Sequence, residues 1–336
     1  MSRRETSFEE LSESNQFNIL KYQSRDQQKW DDFVRTSNNG TIFHTRRFLG
    51  YHPKERFVDH SFIFRKGERW SSVLPAAMVS MQGKRFLISH PGASFGGPVF
   101  DFSISLKDTF FVVQSLLEAA RSENVDEVRF TLPPLIYHSR PGNYFDFALL
   151  ESGFSYSKRE VSSVIPLDFS EDETLSIFSE SARRAARRAM KLGVKVRESD
   201  DFSAFYAILQ NNLKMRHNVK PTHTLTELLQ LKQLFPNDIR LFGATIEGEL
   251  VAGVVTFTCN PKVTLAFYIS HREDMQEYRG VNVLFHEVIR WAIRQGFKFL
   301  DFGIFTVNMK TNWGLARFKE SFGALGVFRD TLVKKI

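Results

Sequence analysis

Cysteine is almost missing from this chain: there is one, Cys259, in 336 residues. A single thiol makes no internal disulfide, and no Cys/His set has zinc-site spacing. A reducing compartment fits. Cys259 lies in a strand-like stretch and reads better as a small core residue than as a nucleophile. Long apolar runs are missing too, since none approaches the roughly 18 residues that cross a bilayer. The opening MSRRETSFEELSESNQ has no apolar centre and does not read as a secretory signal. The expectation is a cytoplasmic protein whose residues 1–25 form a flexible tail. The nine histidines include no H-x-x-x-H pair, so a metal site is unsupported. No G-x-G-x-x-G or Walker loop is present. Gly92-Ala93-Ser94-Phe95-Gly96 fits the nucleophile-elbow pattern on paper, but that motif needs a helix directly after it, and Pro98 blocks one. It reads as a glycine-rich loop.

Phenylalanine is plentiful, with 34 copies, and each buries a large area, so the chain has ample material for a core. Hydrophobic residues make up 42% and charged residues 25%, a globular mix and not a disordered one. The net charge of +7 favours anionic partners such as nucleotide phosphates, tRNA or an anionic membrane surface.

Hydrophobic periodicity gives the organisation. In 281–295, Val281, Leu284, Phe285, Val288, Trp291 and Ala292 fall on one helical face, and Gly296 follows as a stop. A strand over 297–303, a helix over 312–322 with Thr311 as N-cap, and a strand over 325–335 complete this end. The first half repeats the order: helix 106–122, strand 126–132, helix 143–152 and strand 154–167. The segments FALLESGFSY and ARFKESFGAL are about 170 residues apart, which suggests duplication of a unit of about 160 residues. Ahead of each unit lies a three-strand meander. In the second half it runs over 239–247, 249–259 and 262–270, with a turn at Gly248. In the first half SFIFRK, SSVLPAAMVSM and KRFLISH play this part. Helices are expected over 172–192, 202–217 and 224–235. The layout is α+β with mixed, mostly antiparallel sheets flanked by helices. The halves are expected at 26–168 and 169–336.

With SARRAARRAMKLGVKV (181–196), Arg216-His217, Asp301-Phe302-Gly303 and GLARFKESFG (314–323), this order resembles the GNAT fold in tandem. Over about residues 28–336 it is similar to the FemAB-like aminoacyl and acyl transferases. The resemblance implies two GNAT-like (acyl-CoA N-acyltransferase) units. The second would bind an acyl-CoA or aminoacyl-tRNA donor, with no metal. The acceptor would be a small-molecule or lipid-linked amine of a cell-envelope precursor, an amino sugar or a peptidoglycan peptide. A tRNA and peripheral membrane contact are further partners it suggests. A non-catalytic tRNA- or nucleotide-binding module with the same fold is the alternative.

The chemistry requires an amine to lose a proton, a carbonyl to be polarised and the donor's phosphates to be held. Family resemblance puts the phosphate loop at Arg279, Gly280 and Asn282, where a helix begins. The sequence departs from the usual Gln/Arg-x-x-Gly-x-Gly/Ala, with Glu277 and Asn282 at two of those positions. Phe318 and Lys319 match the family's Phe-Lys motif, and Lys319 would face the reacting carbonyl or a donor phosphate. Asp301, at a strand end between apolar neighbours, is a candidate base or a cap for the Thr311 loop. Tyr268, near the end of its strand, is a candidate proton donor or a core aromatic. Arg184, Arg188 and Lys191 form one cationic helix stripe, with Arg183 and Arg187 beside it. That stripe is a phosphate contact or a solvated face. Arg216, and Arg46 and His52 from the first half, are candidate acceptor or phosphate contacts.

Overall fold

The computed structural model describes residues 17–217 and 220–336, with the backbone alone for 215–217. It divides into two compact units. One holds the residues up to Arg159 together with Arg329–Ile336, and the other is Glu160–Phe328.

In the first unit, β1 (Phe17–Lys21) lies within the expected tail, of which residues 1–16 fall outside the described residues. It pairs with β3 (Phe62–Lys66), and β2 is the short Val58–Asp59. The apolar run 71–81, expected as one strand, is two: β4 (Arg69–Leu74) and β5 (Ala77–Met81). Pro75 between them has no N–H to donate and ends the ladder. The two strands then part, β4 pairing with β3 and with β7 (Val99–Phe100), and β5 with β2 and β6 (Lys84–Ser89). Next, β6 pairs in parallel with β8 (Glu127–Thr131). Helices α1 (Gln27–Arg35), α2 (Arg46–Leu49), α3 (Leu106–Ser122) and α4 (Tyr144–Glu151) complete this unit. Ser105 caps α3 by accepting from the Asp108 amide, which fixes its start where periodicity places it. Phe62, Phe64, Val113, Leu116, Phe130 and Leu149 lie in one core.

The chain enters the second unit within β9 (Ser155–Pro166). The expected helix 172–192 begins only at α5 (Glu180–Lys191), because Ser179 caps it by accepting from the Ala182 amide. After β10 (Lys195–Ser199), α6 (Phe202–His217) and α7 (Leu225–Leu234) come β11 (Ile239–Ile246), β12 (Glu249–Asn260) and β13 (Val263–His271). These strands are mutually antiparallel in the order β10-β11-β12-β13. Glu247 and Gly248, at φ 51° and 87°, form the two-residue turn between β11 and β12 that needs left-handed backbone. Then come α8 (Gly280–Arg294) and β14 (Phe299–Ile304). The short hairpin β15 (Thr306–Val307) and β16 (Lys310–Thr311) follows, and then α9 (Trp313–Glu320). Asn312, not Thr311, caps α9 by accepting from the Leu315 amide.

Alanines 182, 186 and 189 of α5 are buried and share one core with Leu284, Val288 and Trp291 of α8. Their small side chains allow the two helices to pack closely over Phe242, Ala252 and Ala266 of the sheet. On the other face of β12, a Cβ on Gly253 would stand 2.4 Å from the Phe205 ring of α6, so glycine admits that helix. The last strand, β17 (Leu325–Lys335), starts in the second unit and ends in the first. There Thr331 to Lys335 pair antiparallel with β8. The α+β class with mixed, mostly antiparallel sheets is as expected.

Candidate functional site

The parallel pairing of β13 with β14 lasts three residues: Val263 with Phe299, Thr264 with Leu300, and Leu265 with Asp301. Beyond these rungs β13 continues to His271 and β14 to Ile304 with no pairing between them. On the α8 side of β13 lies a cavity of about 530 Å³. Its walls are Val251 of β12, Ile269 and His271 of β13, the segment Met275–Asn282 in part, and Asn312, Gly314, Leu315 and Phe318 around the start of α9. Arg279, Gly280, Asn282 and Phe318, all singled out from sequence, therefore line one cavity.

The first turn of a helix leaves its N–H groups without intrahelical acceptors. In α8 the Asn282 amide closes on the Arg279 carbonyl, and the Gly280 and Val281 amides precede it. Arg279 is the N-cap, with left-handed backbone at φ 53°, and its side chain is exposed. Gly280 is required by packing. A Cβ there would stand 2.8 Å from Val251 Cγ2 and 3.4 Å from the Ala252 Cβ, so the helix start lies directly on β12. One guanidinium and a helix N-terminus make this wall attractive to an anion. The remaining wall, with Val251, Ile269, Met275, Leu315 and Phe318, is apolar.

The other sequence-derived residues lie elsewhere. Lys319 is buried, and its Nζ donates to the carbonyls of Phe302, Gly303 and Ile304 at 2.8, 2.7 and 2.8 Å. All three ammonium protons are thereby directed into the end of β14. Burial, only partly offset by the Asp301 carboxylate, pushes its pKa down to about 8. Three carbonyl oxygens at this range favour the charged form, as that carboxylate does. Asp301 is buried and accepts from Ser162 Oγ at 2.6 Å and from the Gly303 amide at 2.7 Å. It ties β14 to β9 and shapes the bend that Lys319 clasps.

Tyr268 faces away from the cavity. Its hydroxyl accepts from the His223 amide at 3.0 Å and lies 2.8 Å from His223 Nδ1, and burial pushes its pKa up to about 12. Ser270 follows it on that face, accepting from Asn212 of α6. The alternation of a strand explains the difference, because Ile269 and His271 are the residues that reach the cavity. Sequence reasoning missed His271. Together with Arg279 it is one of two ionisable residues in the lining, and its Nε2 stands 3.9 Å from Glu273 Oε1.

Arg184 is exposed and paired with Glu180 at 2.9 Å, and Arg188 is exposed one turn further along α5. Neither lines the cavity. The Arg216 side chain lies outside the described residues. In the first unit His52 is buried between the rings of Tyr51 and Phe57, against Gly92. Arg46 is bound to Asp59 and Ser61 and lies over the Tyr22 ring. The glycine-rich loop is held from within the same unit, with His44 Nε2 donating to the Gly96 carbonyl and Ser89 Oγ accepting from the Gly97 amide. Cys259 is buried. Among the described residues no group of three His, Cys, Asp or Glu is placed to hold a metal ion, and no helix is long and apolar enough to cross a membrane.

Residues 178–320 match the family model of the acetyltransferase (GNAT) domain. This stretch contains α5, α8, the cavity and α9. The full chain is similar in fold to FemX, with TM-score 0.75 and 13% identity over 95% of this chain and 97% of that one. It is also similar to L-PGS from Bacillus licheniformis, with TM-score 0.58 and 12% identity over 94% and 92% of the two chains. A tandem GNAT protein from the clavulanic acid biosynthesis pathway aligns with TM-score 0.53 and 11% identity over 95% and 98%. No curated protein sequence matches the chain. Residues 178–320, which surround the cavity, are thus similar to the acetyltransferase (GNAT) domain, and the chain shares its fold with FemX and with a tandem GNAT protein.

Proposed function

We propose that the cavity at the start of α8 receives the donor of an acyl or aminoacyl transfer, and that the acceptor is an amine of a cell-envelope precursor, an amino sugar or a peptidoglycan peptide. The observation that carries this reading is the meeting of Arg279, the α8 N-terminus and Phe318 in one cavity beside the parting of β13 and β14. A phosphate of the donor's carrier would rest on the Gly280 and Val281 amides and Arg279. The carrier's arm would lie along Met275, Leu315 and Phe318. These residues fit one anionic group joined to an apolar arm, a description that suits both acyl-CoA and the acylated end of an aminoacyl-tRNA. The likeness to FemX and L-PGS supports an envelope acceptor.

In the transfer, the amine nitrogen attacks the donor's carbonyl carbon. The amine's proton passes to His271, the ionisable group of the wall other than Arg279. The bond from the carbonyl carbon to the carrier's sulfur or oxygen breaks, and the carrier leaves as a thiol or hydroxyl once reprotonated. Asp301 and Lys319 act at one remove, by fixing the end of β14.

Thermal unfolding in the presence of CoA, acyl-CoAs and aminoacyl-tRNA tests the donor site. A ligand at about 100 times its Kd adds about 2.7 kcal/mol. One donor class should raise Tm, and Arg279→Ala should abolish the rise. No shift with any donor removes the proposal. Binding of tRNA without turnover under any acceptor would favour the binding-module alternative.

A further inference from the structure

From Val307 to Gly314 eight consecutive residues are exposed, and three of them are large and apolar. Val307 is 66% exposed, Met309 58% and Trp313 69%, and what marks them is that they stand together on one short segment. The segment is held in shape. Val307 pairs with Lys310 in the β15–β16 hairpin, the Asn312 amide donates to the Phe305 carbonyl, and the Met309 amide donates to the Glu160 carboxylate. Asn308 and Met309 at the tip both have left-handed backbone, at φ 50° and 61°. This displays Met309 on a tight turn where a non-glycine residue is uncommon. Exposed cations flank the apolar groups, Lys310 on the hairpin and Arg317 one turn beyond Trp313 on α9. Of nearby acids, the Glu160 carboxylate is engaged by the turn and Glu320 lies at the far end of α9.

We propose that the 307–317 segment seats itself in the headgroup layer of an anionic lipid surface. Tryptophan prefers the boundary between apolar and wet phases, and Val307 and Met309 add apolar area at a narrow tip. Lys310 and Arg317 match the negative surface potential of such a layer. A second copy of the chain fits less well, because a stable protein interface takes about 800 Å² from each partner, far more than three side chains on a turn present. Asn312, Gly314 and Leu315 of this same segment line the cavity, so a lipid surface here would lie beside its entrance. The inference stands whether or not the cavity takes an acyl donor.

Fluorescence tests it directly. Of the four tryptophans, Trp30, Trp70 and Trp291 are buried, so quenching by brominated phosphatidylcholine chains reports Trp313. Intact protein is mixed with vesicles of phosphatidylcholine alone and of phosphatidylcholine with phosphatidylglycerol, and sedimentation measures the bound fraction. Binding and quenching with the anionic vesicles are expected. Val307→Ser/Met309→Ser, with an unchanged melting curve, should lower partition about tenfold, and Lys310→Glu/Arg317→Glu by at least as much. No binding to anionic vesicles overturns the proposal. So does binding that survives both variants, or that is lost only in Arg184→Glu/Arg188→Glu on α5. Self-association of the free chain that the Trp313→Ser variant abolishes would assign the segment to a second copy and would also overturn it.

Discussion

Replacing Lys319 by methionine separates two roles that a loss of turnover alone would confuse. The substitution keeps the length and the apolar stem and removes the ammonium. In the native fold that ammonium donates to three carbonyls at 2.7–2.8 Å, inside a side chain only 3% exposed. Hydrogen bonds from a charged donor contribute about 1.5–3 kcal/mol each, and a buried acceptor left unpaired costs about 1–3 kcal/mol. Methionine recovers some desolvation cost, and water reaches the partly buried Gly303 and Ile304 carbonyls. A net loss of about 3–5 kcal/mol is expected, a large share of the roughly 5–15 kcal/mol of a typical domain. Urea unfolding followed by circular dichroism measures it, and steady-state turnover at a temperature where the variant stays folded measures the rest. Turnover should fall together with stability, because the end of β14 and α9 lose their tie. If Lys319→Met unfolds within about 1 kcal/mol of the native protein yet abolishes turnover, the ammonium is acting on the substrate and the reasoning fails.

Gly280→Ala should abolish any donor-induced rise in Tm and cost about 1–3 kcal/mol, since its Cβ would meet Val251 Cγ2 at 2.8 Å and α8 must shift; an unchanged donor Kd by calorimetry would count against the site. His271→Asn should lower kcat by about 100-fold or more and remove the limb of the pH–rate profile that reports a base, with little change in the donor's KM; an intact limb refutes the assignment. His44 and His90, both buried, have pKa values pushed down to about 4 by desolvation. The unfolded chain takes up these protons first, so the two residues contribute stability that is whole above about pH 6.5 and is lost as pH falls toward 4. About 2 kcal/mol per histidine should be gone by pH 5, and urea titrations of the native protein and His44→Gln at pH 7 and pH 5 would reveal a slope that does not change if this is wrong.

Much of the fold was legible where one local signal decides the geometry. Ser105 fixes the start of α3, Gly248 the β11–β12 turn, and the spacing from Val281 to Ala292 the buried face of α8. Where two signals compete, the sequence was less clear. Pro75 sits inside an apolar run and divides it between two sheets, and Thr311 and Asn312 are adjacent residues that both suit an N-cap. The cavity's α8 wall was readable because a helix start is a local feature. Its other wall was not, because alternation along β13 separates Tyr268 and Ser270 from Ile269 and His271 without telling which pair faces α8. Lys319 was readable only in part, for a different reason. Its spacing from Leu315 and Phe322 already places it on the inward side of α9, but only tertiary structure supplies the three carbonyls that accept its protons.

The path of the final strand bears on how this protein is made. Translation delivers residues in order, and a unit folds once all its parts have emerged. The first unit takes Arg329–Ile336 as a rung beside β8, so its sheet stays incomplete until the whole of Glu160–Phe328 has left the ribosome. The later-made unit has every strand it needs before the earlier-made one does. Until then the β8 edge that takes Thr331–Lys335 is an open ladder that must wait for that distant segment.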